Sequence, residues 1–158
     1  MKNIKTLSLC LMAAIATATV SCKVDDPMLD SVVSPVLVDI VGAPFGSPIA
    51  SEPTVGYLAT DSVVTLQARL LELDKTNILD NTKGIDSIPV PNVAIKISMR
   101  TGASIGDVTS DASGLVTLKK TWAELGIAAP KAGAITKISW SGTYKGISFT
   151  RLSQVQAK

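Results

Sequence analysis

The chain has 158 residues, 46% of them hydrophobic, with no histidine, 6 aromatic residues and 2 cysteines. Without imidazole there is no histidine-based acid–base or metal chemistry. A formal charge of +2 is too small to mark a nucleic-acid surface.

The apolar residues are front-loaded. Of the first 21 residues, 13 are apolar, and Lys2 and Lys5 precede the stretch Leu7 to Val20. A basic start followed by a run shorter than the roughly 20 residues that span a bilayer is the layout of a secretory signal peptide, here residues 1–21. Thr19-Val20-Ser21-Cys22 resembles a bacterial lipobox, in which a small residue precedes a cysteine that is lipidated and becomes the mature N-terminus. Ser21 and Cys22 fit that pattern, while Thr19 stands where leucine is usual. The resemblance implies a lipid on Cys22 and a membrane partner through it. Cleavage after Ala18 or Ser21 by ordinary signal peptidase, or retention of the segment as an anchor, are the alternatives. Lys23-Val24-Asp25-Asp26 resembles the lysine-plus-acidic-pair signals of Gram-negative lipoproteins displayed on the outer face of the outer membrane, with Lys23, Asp25 and Asp26 carrying the signal. The other reading is a solvated tether.

Removing residues 1–21 takes Lys2, Lys5 and Cys10 and leaves 13 basic and 13 acidic side chains, a neutral domain. With Cys22 lipidated, no thiol remains for a disulfide, a catalytic thiolate or a zinc site. Residues 22–34 read as a flexible acidic tether, 12 of whose residues reach about 40 Å when extended. The remainder, 35–158, reads as one domain.

Along that domain the apolar residues recur in period two, and no helical pattern of ten residues is sustained. Pro35 to Val41 is an opening strand, ended by Gly42-Ala43-Pro44 and Gly46-Ser47-Pro48. Ser62 to Leu70 is a second, with Val64, Leu66, Ala68 and Leu70 on one face; Leu71 and Leu73 then change parity, which predicts a bulge or a strand end near Leu70. Pro91 to Met99 sets Val93, Ile95, Ile97 and Met99 against Asn92, Ala94, Lys96, Ser98 and Arg100. Ser104 to Thr109 and Leu115 to Lys119 flank the turn Asp111-Ala112-Ser113-Gly114. Ile135 to Trp140 and Ile147 to Leu152 bracket Ser141 to Gly146 as a hairpin. Thr121-Trp122-Ala123-Glu124, followed by Gly126, has capping-box spacing and predicts a single helical turn.

About seven short strands and one helical turn predict an all-β sandwich. "VTLQARLLELD", "IPVPNVAIKISM", "VTSDASGLVTL" and "ITKISWSGTYKGISF", in that order, resemble the bacterial immunoglobulin-like domains of the invasin and intimin type. The matching positions are Val64, Thr65, Leu66 and Ala68; Pro89, Val90 and Val93; and Thr109, Asp111, Gly114, Val116, Thr117 and Leu118. The resemblance covers most of Ser62 to Phe149 and implies an immunoglobulin-like β-sandwich. The loop Asp74 to Ile88 is longer than that family's, and the repeated arrays of adhesins are absent.

Four candidate features remain. Asp74, Asn77, Asp80, Asn81 and Asp86 offer oxygen ligands of the calcium type, but no EF-hand spacing, and Lys75 and Lys83 oppose a cation, so a solvated loop and no metal are expected. Tyr144, Trp122 and Tyr57 are the candidate ligand contacts, as a stacking platform for a glycan or an anchor for a protein. Trp140, in phase with Ile138, is expected in the core, with Trp122 as a lid at the sandwich edge and Tyr144 as the most exposed ring. Catalysis has little support: no Ser-x-x-Lys pair or phosphate loop occurs beyond Cys22. The expectation is a non-catalytic, cofactor-free module, lipid-anchored at the cell surface, that interacts with or adheres to a protein or glycan and not to nucleic acid. The alternative is a structural accessory subunit of an outer-membrane complex. Buried rings would remove the case for a glycan platform, and an apolar patch or open sheet edge would favour the accessory role.

Overall fold

The period-two patterning is realised as nine strands in a computed structural model that describes residues 34–44 and 51–158, all within the compact unit Ser34–Lys158. The export segment, Cys22, Lys23, Asp25, Asp26, the tether as far as residue 33 and the Gly46-Ser47-Pro48 punctuation lie outside the described residues. The strands are β1 (Leu37–Ile40), β2 (Thr54–Tyr57), β3 (Val64–Asp74), β4 (Asp86–Pro89), β5 (Ala94–Met99), β6 (Ser104–Thr109), β7 (Leu115–Lys120), β8 (Ile135–Tyr144) and β9 (Ile147–Ala157). They form a four-stranded sheet, in which β1, β4 and β7 all pair with β3, and a five-stranded sheet in the order β2-β9-β8-β5-β6. The fold is an all-β sandwich. The two extra strands are β2, which runs parallel to β9, and β4, which pairs with the end of β3.

The core lies between the sheets. Val64, Leu66, Ala68 and Leu70 of β3 meet Ile95 and Ile97 of β5, Ile138 and Trp140 of β8, and Phe149 and Val155 of β9. Alternation is the physical cause: each strand sends every second side chain inward, and burial of these branched and aromatic groups is worth about 1.5–3 kcal/mol apiece. The tenants of the polar parity, Ala94, Lys96, Thr117 and Thr143 among them, are exposed.

β3 has no bulge near Leu70. Its parity is continuous from Val64 to Asp74, and what changes at Leu70 is the neighbour. The Leu70 amide donates to the Gly114 carbonyl at 2.8 Å, where β7 begins, and the Leu70 carbonyl accepts from the Val90 amide at 2.9 Å, just past β4. Two short strands thus share one edge of one long strand. Gly114 sits in this junction with φ of +72°, and a Cβ there would stand 2.6 Å from the Leu70 carbonyl oxygen. The inward side chain that breaks the apolar run, Glu72, is taken up by the opposite sheet, as described below. The register shift in the sandwich occurs instead in β5, between Ile97 and Ser98.

The β8–β9 hairpin is tighter than its sequence suggests. Pairing runs out to Tyr144 and Ile147, leaving a two-residue turn, Lys145-Gly146, with both φ values positive, +50° and +77°. That is the turn handedness that matches strand twist. The capping box is formed: Thr121 N–H donates to Glu124 Oε2 at 2.8 Å, and Glu124 N–H donates to Thr121 Oγ1 at 3.3 Å. It closes a single hydrogen-bonded turn. These bonds, and the Lys120 ammonium at 3.0 Å, hold the Glu124 carboxyl down to about 2.

Candidate functional site

The aromatic residues do not assemble a platform. Trp140 is 2% exposed, and its indole Nε1 donates to Ser153 Oγ at 2.8 Å in the core. Trp122 is 4% exposed and belongs to the same core, closing it beneath the capped turn, with no acceptor for its Nε1 among the described residues. Tyr57 is half-buried; its hydroxyl donates to the Thr65 carbonyl at 2.5 Å, tying β2 of one sheet to β3 of the other, and burial pushes its phenol above the ordinary value. Tyr144 stands at the hairpin as expected but is half-buried, and its hydroxyl donates to Glu72 Oε2 at 3.0 Å. None of the described rings is exposed, and each packs on or within the core.

The loop after β3 likewise spends its oxygens internally. Asp74 accepts from the Thr76 amide at 2.8 Å and from its hydroxyl at 2.5 Å. Asp80 accepts from the Thr82 amide at 3.0 Å and hydroxyl at 2.6 Å. Asp111 repeats the pattern with Ser113, at 2.8 and 2.7 Å. In each case a hydroxyl residue two places on closes an Asx turn, and these bonds hold all three carboxyls below their usual range. Among the described residues no three acidic side chains gather as a metal site would require.

The arrangement with room for a ligand is on the outer face of the five-stranded sheet, where strand register sets side chains in a lateral row. Asp107 of β6 pairs with Lys96 of β5, Lys96 with Ser141 of β8, and Ser141 with Thr150 of β9. With strands about 4.8 Å apart, the row spans about 14 Å. Thr143 and Ser148 stand one step along, their hydroxyl oxygens 3.3 Å apart. Together these residues line a shallow depression of about 530 Å³. All but Ser141 are exposed, and neither Lys96 nor Asp107 is engaged in an ion pair among the described residues. The row therefore presents one cation, one anion and four hydroxyls on a rigid floor.

This site is not apparent from the chain alone. Lys96 is identifiable as a wet-face residue from its alternation in β5, but its alignment with Asp107, Ser141 and Thr150 depends on the register of three strand pairs. No protein-family model matches the chain, and the curated proteins contain no match to it.

Proposed function

We propose that the protein is a non-catalytic interaction module of the cell envelope, anchored by lipid at Cys22 in the outer membrane, facing the cell exterior, and binding a protein partner through the outer face of its five-stranded sheet. One observation carries this reading: the row Asp107, Lys96, Ser141 and Thr150, open to solvent on a sheet whose other face is the core. Hydroxyls and a neighbouring pair of opposite charges, Lys96 and Asp107, suit hydrogen bonding to a flat, polar protein surface, where charge placement sets register and partner choice. A protein is favoured over a glycan because the four rings that would stack on sugar are buried or half-buried, each packed on or within the core. The shifted acidic groups other than Asp39 are held low by local hydrogen bonds, which supports structural rather than acid–base roles for them.

The invasin and intimin-type relationship is part of the same proposal; the fragments behind it occupy β3, β5, β6 with β7, and β8 with β9. A second reading, a structural accessory subunit, is favoured by β6, which among the described residues pairs only with β5 and leaves one edge open.

The test is capture of partners from native envelopes with the wild-type chain, with Thr150→Arg, which fills the row, and with Thr101→Arg in the β5–β6 turn. Loss of a partner with Thr150→Arg alone supports the face. Equal capture by all three contradicts it. Fractionation of Cys22→Ala tests the anchor independently, since unchanged membrane association would remove the lipid from the account.

A further inference from the structure

The largest unexplained apolar exposure lies at one end of the sandwich. Leu79 is 98% exposed, Ile78 55%, and Ile85 and Ile88 are nearly half exposed, all on the β3–β4 hairpin and its loop. Ile147, exposed on the neighbouring β8–β9 hairpin, adds to them. The two hairpins are joined, because Glu72 of β3 accepts from the Tyr144 hydroxyl at 3.0 Å and from Lys145 Nζ at 2.5 Å. A loop has no folding reason to present consecutive isoleucine and leucine to water, and clustered exposed apolar groups mark a contact surface.

We infer that this hairpin end seats in the interface of a lipid bilayer, with Ile78 and Leu79 at its apex entering the acyl boundary. Three observations on the fold select a bilayer. The surface is a projection rather than a groove, and a fluid interface accepts a projection without a matching cavity. Its cationic residues, Lys75 and Lys83 on the loop and Lys145 on the adjoining turn, flank the apex, where long side chains keep their ammonium groups in the headgroup layer while their stems lie along apolar surface. Third, the chain enters the domain at this same end: β1 begins at Leu37, opposite Leu71, immediately before the hairpin. The 36 residues before Leu37 include the apolar stretch Leu7 to Val20 and Cys22.

The electrostatics select the lipid. Lys75, Lys83 and Lys145 share the two hairpins with Glu72, Asp74, Asp80 and Asp86, so the end carries nearly balanced charge. Glu72 is bonded to Tyr144 and Lys145, Asp74 to Thr76, and Asp80 to Thr82 with Lys83 at 3.8 Å. Anionic lipid would gain little, and a zwitterionic surface fits. The insertion stands on the hairpin itself; its orientation toward the anchoring membrane rests on the lipid at Cys22 proposed above. With the apex in the bilayer, the capped turn and the β5–β6 turn, at the opposite end, point away from it.

The test uses the full lipid-modified protein on vesicles of phosphatidylcholine and phosphatidylethanolamine, with and without bromine on the acyl chains. Leu79→Trp places an indole at the apex, and Thr101→Trp places one at the far end; buried Trp122 and Trp140 supply a constant background read from the wild type. Flotation of the vesicles reports the anchor, and bromine quenching reports the apex. The inference predicts loss of most of the Leu79→Trp increment, no loss for Thr101→Trp, and little change when phosphatidylglycerol is added. Flotation without quenching overturns the inference and leaves the anchor standing. Failure of both flotation and quenching overturns both. Equal quenching at the two positions, or a blue shift of the Leu79→Trp emission that grows with protein concentration in the absence of vesicles, also overturns it, the latter by identifying a second copy of the chain as the occupant.

Discussion

Tyr144 and Glu72 lie 72 positions apart in the chain and join the two sheets by a 3.0 Å hydrogen bond, the phenol of one hairpin donating to the carboxylate of the other. Lys145 adds its ammonium to the same carboxylate, and the pair of bonds holds the Glu72 carboxyl below its usual range. Glu72 faces inward on β3, where the apolar run would otherwise continue, so its charge is matched at the sheet-to-sheet seam rather than buried alone. Glu72→Ala and Tyr144→Phe are expected to speed amide exchange at Thr143 to Ser148 while leaving exchange around Ile138 unchanged. Unaltered exchange at the hairpin in Glu72→Ala would show that the contact does not restrain it.

Gly114 meets two constraints at once, a positive φ and a backbone contact, whereas Gly146 meets only the first, with nothing within 4 Å of the position its Cβ would take. Gly114→Ala is therefore expected to cost on the order of 2–4 kcal/mol, and Gly146→Ala about 1 kcal/mol. Urea unfolding midpoints measure both, and equal costs would mean that the β4, β3 and β7 junction adapts to the extra carbon.

The bond from Trp140 to Ser153 is the one side-chain hydrogen bond that this tryptophan makes deep in the core, and Ser153 is itself buried. Trp140→Phe removes volume and orphans the hydroxyl, for an expected loss of about 2–3 kcal/mol. Adding Ser153→Ala is expected to recover part of that loss, because no buried polar group is then left unpaired. A double mutant no more stable than the single one would assign the whole cost to packing.

Acid should unfold the domain through its structural carboxylates. Glu124 is held at about 2 against an ordinary 4.5, and Glu52, Glu72, Asp74, Asp80 and Asp111 are shifted in the same direction. A depressed folded-state value means that the unfolded chain binds protons first, so this stability is complete above pH 4.5 and is lost as pH falls toward 2. Thermal melts across that window should fall steadily, and Glu124→Gln should flatten part of the slope. A melting temperature independent of pH between those values would refute the assignment.

How much of this is legible in the chain varies with the range of the interaction. Period two locates the core faces of β3, β5 and β8 because alternation is local, and the Thr121 and Glu124 spacing identifies the capped turn for the same reason. β2 and β4 escape notice. Thr54–Tyr57 has four residues and no alternation, and exists because β9 offers it a parallel edge; Asp86–Pro89 is exposed throughout and exists because β3 runs beyond β7. The parity change at Leu71 reads as a bulge or a strand end because a charged inward residue breaks an apolar run, and its explanation is Tyr144, which is remote in the chain. The row on the outer face is hidden for a related reason: its four residues come from four strands, and only register aligns them.

The most direct test of the central claim, that the outer face of the five-stranded sheet binds a protein partner, is photo-crosslinking in living cells from an activatable residue at position 96 or 143, compared with position 101. The account predicts a discrete adduct with one protein from positions 96 and 143, lost when Thr150→Arg is added, and no such adduct from position 101. The same adducts from all three positions, or none from the sheet face, would contradict it.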